Sequence, residues 1–233
     1  MQNADIVKLI DLTSLNDNDT PEVIDHLCQQ ATTPLGNVAA VCVYPQFVKQ
    51  VDDTLLGIPV ATVVNFPAAT DSLDKVLKDT EQALKDGADE IDLVLPYRDS
   101  NENSLAMVKA VKKLCLDNNA LLKVIIESGA FDNTADIKNA AAIAIDGGAD
   151  FVKTSTGKIA VGATPEAAKA ICEVLAEKGV SDSVGIKISG GVRTPEEANM
   201  YLEIITQQFG RDWITPHRVR IGASSLLNAL LEK

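Results

Sequence analysis

One pattern constrains this chain more than any other. Short apolar runs rich in β-branched residues alternate with amphipathic helical stretches, about every 30 residues, from one end to the other. The runs at 8–13, 38–44, 60–66, 90–95, 121–127, 151–155, 184–189 and 218–223 predict eight strands. Apart from the short first one, they are dense in Val, Ile and Leu instead of alternating cleanly with polar residues, as strands covered on both faces should be. Thr20-Pro21-Glu22, Thr164-Pro165-Glu166 and Thr194-Pro195-Glu196 share one helix-start signal. Thr caps, Pro takes the first position where no N–H is needed, and Glu meets the positive end of the dipole. In the helix after strand three, Leu73, Val76, Leu77, Ala83 and Leu84 fall on one face. Gly57, Gly87, Gly147, Gly179 and Gly210 follow helical stretches, where a left-handed cap suits glycine.

Eight βα units with no Pro- or Ser-rich linker predict a single (β/α)8 barrel, of the TIM type, over residues 1–233. Residues from about 14 to 32 are expected to add a helical segment near the N-terminus, between the first two strands. The rival is an open doubly wound sheet. It calls for a glycine fingerprint after the first strand, and Asp11-Leu12-Thr13-Ser14-Leu15 has none.

Composition narrows the function. With 33 Asp+Glu against 21 Lys+Arg, the formal charge is −12, and aromatic residues make up only 4%. Such a chain repels phosphate backbones and offers few stacking platforms, which argues against nucleic acid as a partner. No apolar stretch approaches the ~18–20 residues of a membrane span, and Met1-Gln2-Asn3-Ala4-Asp5 lacks the basic and apolar blocks of a signal peptide. Cys28, Cys42, Cys115 and Cys172 lie far apart, as in a protein of the reducing cytoplasm. His26 and His217 have no second ligand at helical spacing, so no metal site is expected.

In a barrel of this kind the chemistry sits at the carboxyl ends of the strands. There the sequence puts Asp11, Cys42, Asn65, Asp92, Lys123, Glu127, Lys153 and Lys187. Lysines inside apolar strands are unexpected, because an ammonium is strongly hydrated. Lys153 and Lys187 stand among β-branched neighbours on adjacent strands. Desolvation and a second cation both favour a neutral amine, which is the nucleophile of imine chemistry. Asp92 is the candidate proton carrier, with Lys123 to hold it ionised. The competing interpretation is a set of buried salt bridges with no chemistry, or lysines that snorkel outward. A second signal lies in the last three loops: Thr156, Gly157 and Lys158 after strand six, Gly190 and Gly191 after strand seven, and Ser224 and Ser225 after strand eight, just before a short helix at 226–231. Phosphate commonly binds at this corner of the barrel. Thr156-Gly157-Lys158 is not a nucleotide P-loop, since the preceding glycine is missing and Ile159 follows the lysine.

The segments Asp11-Leu12-Thr13, Ala40-Val41-Cys42-Val43-Tyr44-Pro45, Glu90-Ile91-Asp92 and Leu122-Lys123-Val124-Ile125-Ile126-Glu127 resemble deoxyribose-phosphate aldolase. Phe151-Val152-Lys153-Thr154-Ser155-Thr156-Gly157, Gly190-Gly191-Val192-Arg193, Phe209-Gly210 and Gly222-Ala223-Ser224-Ser225 do so as well. The resemblance runs from about residue 6 to the end. It implies a class I aldolase that reversibly cleaves 2-deoxy-D-ribose 5-phosphate to D-glyceraldehyde 3-phosphate and acetaldehyde. It implies Lys153 as the Schiff-base lysine, Lys187 as the lysine that perturbs it, Asp92 as proton shuttle and Lys123 as its ionic neighbour. Gly157, Lys158, Gly190, Gly191, Ser224 and Ser225 fall at the family's phosphate positions, and Thr13, Leu15, Cys42 and Thr156 at its pocket positions. No metal or organic cofactor is implied. The partners implied are a small sugar phosphate and aldehydes, with a homodimer as a candidate assembly.

Two departures stand out. Relatives carry Pro or Ala directly after the second lysine, where Ile188-Ser189 stands here, which alters the loop without removing the amine. Some relatives add a tail ending in tyrosine that assists proton transfer. This sequence ends in Glu232-Lys233, so the expectation is that this assistance is absent. Two alternatives stay open: an imine-forming aldolase of another sugar phosphate, and a barrel that binds a sugar phosphate without catalysis.

Overall fold

A computed structural model describes residues 1–99 and 101–232; Lys233, the last residue in the tail comparison, lies outside them. The eight expected strands form one closed barrel of parallel strands. They are β1 (Ile10–Thr13), β2 (Ala40–Val43), β3 (Val60–Val64), β4 (Glu90–Val94), β5 (Leu121–Ile125), β6 (Phe151–Lys153), β7 (Gly185–Ser189) and β8 (Val219–Ala223). Each is paired with its sequence neighbours, and β8 closes onto β1.

Every strand lies inside its expected run but is shorter, mostly because the chain turns out of the wall at the carboxyl end. Asn65 and Glu127, immediately or shortly after β3 and β5, are left-handed with φ 56° and 51°, and that conformation cannot continue a strand. The expected helical segment over 14–32 is present as α2 (Pro21–Gln30), the crossover from β1 to β2, followed by a small hairpin, Thr32–Thr33 with Gly36–Asn37. The element outside the eightfold repeat is α1 (Asn3–Val7), which packs near the C-terminal helix.

The crossover helices α3 (Val48–Thr54), α4 (Leu73–Lys85), α5 (Asn101–Asp117), α6 (Thr134–Asp146), α7 (Pro165–Glu177) and α8 (Pro195–Phe209) surround the barrel, and α9 (Leu226–Leu231) follows β8. The three Thr-Pro-Glu starts are real caps. The hydroxyls of Thr20, Thr164 and Thr194 accept from the backbone N–H of Val23, Ala167 and Glu197, and Glu197 completes a capping box. Each such cap stabilises its helix by about 1 kcal/mol. On α4, Val76 and Ala83 are buried as expected. Leu73, however, is exposed, and the seam is filled by Thr80, whose hydroxyl donates to the Val76 carbonyl. Gly147 is also corrected: it is right-handed, and the left-handed turn falls on Gly148, φ 92°.

Two apolar regions result. The larger one lies between barrel and helices. A smaller cluster of Leu15, Ala40, Cys42, Ala61 and Val63 fills one side of the barrel interior. The rest of the interior is charged. Period-two alternation turns Asp11, Glu90, Asp92, Lys123, Lys153, Lys187 and Arg220 inward, where all are buried.

The loops after β6 and β7 touch backbone to backbone. A Cβ added at Gly162 would stand 2.2 Å from the carbonyl oxygen of Gly190. Gly162→Ala should therefore force these loops apart and lower stability by about 1–3 kcal/mol. Urea denaturation would read this as a lower midpoint, and an unchanged midpoint would mean that the loops yield without cost.

Candidate active site

Register sets the site. Asp92 pairs with Lys123 across β4 and β5, Lys153 with Lys187 across β6 and β7, and Lys187 with Arg220 across β7 and β8. The inward side chains stack in layers supplied by alternate strands. Glu90, Phe151 and Arg220 lie at the amino-terminal end of the barrel. Asp11, Lys123 and Lys187 form the middle layer, and Cys42, Asp92 and Lys153 the layer nearest the loops.

Asp92 is the hub of the upper layer. Its Oδ1 accepts from Lys123 Nζ at 2.7 Å, and its Oδ2 accepts from both Lys153 and Lys187 Nζ at 2.8 Å. Burial alone would push the Asp92 carboxyl up, but Lys123, Lys153 and Lys187 outweigh it and hold it well below the usual range. The two neighbouring strand lysines then diverge. Burial lowers both. Asp11, at 2.5 Å, and Asp92 more than restore Lys187, which ends above an ordinary lysine. Lys153 has Asp92 as its one ion-pair partner among the described residues and the charge of Lys187 beside it, and it ends below the ordinary 10.5. Lys123 sits against Asp92, Glu90 and Asp11 and stays firmly protonated.

Above this network opens a cavity of about 250 Å³. Its lining includes Thr13, Leu15, Lys153, Thr156, Gly157, Lys158, Gly190, Gly191, Ser224 and Ser225, so these expected residues converge. Asp92, Lys123 and Lys187 lie beneath it and are fully buried. Cys42 does not line the cavity. It is fully buried in the small interior cluster, where burial pushes its thiol up.

The rim is tied together by side chains that close loops onto one another. Glu127 accepts from both the backbone N–H and the hydroxyl of Thr156, and the Thr156 hydroxyl accepts from the Lys158 N–H. Lys158 Nζ reaches across to the Leu15 carbonyl, joining the β6 loop to the β1 loop. Ser189, where the chain departs from the expected pattern, belongs to the wall. Its N–H donates to the Thr154 hydroxyl, which in turn donates to the Ser189 carbonyl, and its own hydroxyl donates to Ser155 O. Gly190, φ 90°, then turns the backbone toward the cavity. Ser224 and Ser225 are exposed at the start of α9.

Sequence reasoning missed Arg220 and Glu90, although both carry the signal that found the lysines, a charge within an apolar strand. Glu90 also shares a strand face with Asp92. Asp11 and Glu127 were visible only as polar strand ends. The cavity lining further includes Asn16, Ser189, Val192 and Arg193.

A family model described as DeoC/LacD family aldolase matches residues 6–232. A structure from Toxoplasma gondii ME49, assigned as the apo form of a deoxyribose-phosphate aldolase, is 29% identical. The match covers 98% of this chain and 94% of that one, with a TM-score of 0.87. One from Coccidioides immitis, assigned as a deoxyribose-phosphate aldolase, is 28% identical over 100% of this chain and 88% of that one, with a TM-score of 0.83. The tetrameric deoxyribose phosphate aldolase of Aeropyrum pernix, at 24% identity over 99% and 91% of the two chains, shares the fold with a TM-score of 0.84. With the family model spanning nearly the whole barrel, the chain belongs to the DeoC/LacD aldolase family.

Proposed function

We propose that this aldolase reversibly cleaves 2-deoxy-D-ribose 5-phosphate to D-glyceraldehyde 3-phosphate and acetaldehyde through an imine on Lys153. The observation that carries the reading is the position of Lys153: a buried amine with a single carboxylate partner and a second ammonium beside it, at the floor of a cavity. A neutral Nζ attacks the C1 aldehyde of the open sugar, and the carbinolamine loses water to give an iminium. The C3 hydroxyl is deprotonated, the C2–C3 bond breaks into the iminium, and D-glyceraldehyde 3-phosphate leaves. Protonation of the enamine at C2 and hydrolysis then release acetaldehyde. Asp92, 2.8 Å from Lys153 Nζ, lies next to the reacting nitrogen and is the group to relay these protons. Lys187 discourages protonation of Lys153, and Lys123 keeps Asp92 ionised and oriented.

At the far side of the cavity, Gly157, Lys158, Gly190, Gly191, Ser224 and Ser225 would hold the phosphate, with Thr13, Leu15 and Thr156 shaping the space between. A volume of about 250 Å³ lies just below the roughly 300–1,000 Å³ of common ligand sites, which favours a small metabolite. The iminium is itself the electron sink, so the reaction as written calls on no metal or organic cofactor. We assign the protein to the cytoplasm, supported by four separate buried free thiols. We further infer self-association, for which the tetrameric Aeropyrum pernix neighbour is the support; a dimer is its simplest form.

Borohydride added with acetaldehyde or the sugar phosphate should leave a stable adduct on Lys153, located by peptide mass mapping, and Lys153→Ala should abolish turnover. An adduct elsewhere, or none, removes the role; turnover of ketone donors in preference to acetaldehyde would instead indicate a related aldolase. The rate should rise with pH as Lys153 loses its proton and level off below the ordinary lysine value of 10.5. Lys187→Leu removes the neighbouring repulsion, so Lys153 holds its proton more tightly and the rising limb moves to higher pH. A limb that stays in place contradicts the assignment. Ser224→Asp or Ser225→Asp should raise KM for the phosphorylated sugar by about tenfold or more, roughly the loss of one charge-assisted hydrogen bond. Unphosphorylated deoxyribose should be much less affected, and equal losses on both substrates would count against a phosphate seat.

A further inference from the structure

The interior ion pairs form one continuous network whose charges do not balance. Its cations are Lys123, Lys153, Lys187 and Arg220, and its anions are Asp11, Glu90 and Asp92. Every member is almost fully buried. A surplus charge in a medium this poor in water is costly, and the cheapest relief is for one cation to give up its proton. Arg220 cannot, because a guanidinium keeps its proton in proteins. Lys123 faces Asp11, Glu90 and Asp92, and Lys187 faces Asp11 and Asp92. Lys153 has only Asp92 and borders the cavity, so the surplus falls on it. Outside the network, the Cys42 thiol is pushed up by burial, the buried Glu127 directs its oxygens to Thr156 with no ion pair to the network among the described residues, and Lys158 turns its Nζ to the Leu15 carbonyl.

Arg220 is what makes the count uneven. Its guanidinium donates to Asp11 at 2.7 Å and to Glu90 at 2.8 Å, its Nε–H donates to the Pro216 carbonyl, and it lies over the Phe151 ring. It is absent from the cavity lining and reaches Lys153 only through Asp11 or Glu90, then Lys123 or Lys187, then Asp92. We propose that Arg220 is a positioning residue for the reaction: its permanent charge at the closed end of the barrel makes Lys153 the surplus cation and so keeps that amine free. This rests on the imine reading of Lys153 for its functional meaning, while the charge coupling itself can be measured without turnover.

A purely structural Arg220 would tie β8 to β4 and β1 and do nothing to the amine. The two are separated by labelling the full-length protein with acetic anhydride over a range of pH and following the Lys153 peptide by mass spectrometry. That reads the titration of this one amine. Arg220→Met should move the Lys153 midpoint up by about one pH unit, the size expected for one charge a few ion-pair links away in a protein interior. Arg220→Lys, which keeps the charge, should restore it. Glu90→Gln removes a negative charge from the same network and should move the midpoint down. Opposite shifts from Arg220→Met and Glu90→Gln are the signature of charge counting, since general loosening would move both the same way. The proposal is overturned if Arg220→Lys shifts as far as Arg220→Met, or if Glu90→Gln raises the midpoint or leaves it unchanged. If Arg220→Met does not fold, the direction of the Glu90→Gln shift decides. A missing borohydride adduct on Lys153 would remove the imine but not these shifts, so the two failures are told apart.

Discussion

Asp92 at the meeting point of three lysines is the contact on which the rest of this barrel depends. A carboxylate taken out of water needs compensation from every side, and here Lys123, Lys153 and Lys187 provide it from three neighbouring strands. A barrel of this kind normally fills its interior with Val, Ile and Leu in layers. Replacing that filling by seven charged side chains gains little stability, because the cost of desolvation consumes most of the attraction. What the network does supply is difference. Two lysines one strand apart, with the same backbone register, end on opposite sides of the ordinary value because one has two carboxylates and the other has one.

The parts of this structure that were legible in the sequence are those governed by local rules. Eight apolar runs gave eight strands, and the Thr-Pro-Glu starts gave helix caps, because hydrophobic period and capping chemistry act within a few residues. Lys153, Lys187 and Asp92 stood out by being charged where the pattern demanded apolar residues. Strand ends were less legible: Asn65 is of a residue type that tolerates the left-handed region, but nothing in the sequence marks Glu127 as left-handed, since that depends on the loops it meets. Arg220 and Glu90 escaped notice for another reason. They sit near the amino-terminal ends of their strands, away from the face where chemistry is sought, and their link to Asp92 runs through side chains on other strands. Cys42 behaves as a small buried cysteine commonly does, filling space among Leu15, Ala61 and Val63, and the pocket position that the family resemblance implied for it is not on the cavity lining.

The site is divided between two kinds of structure. The amine chemistry is held by strands, in the stiffest part of the fold, where a shift of one residue would turn every charge to the wrong face. The proposed anion seat is held by loops, made definite by a few directed contacts such as Glu127 on Thr156 and Lys158 on the Leu15 carbonyl. Function on loops over a rigid scaffold permits substrate preference to change while the reactive centre stays put.

The close approach of Gly162 to Gly190 has a mechanical side. Two backbones with no room for a methyl group between them, joined by the Ala163 N–H donated to the Gly190 carbonyl, tie the segments following β6 and β7 to each other. One of those segments leaves from the strand bearing Lys153 and the other from the strand bearing Lys187. A change of side chain at that contact would thus be felt on the loops of both lysine-bearing strands at once.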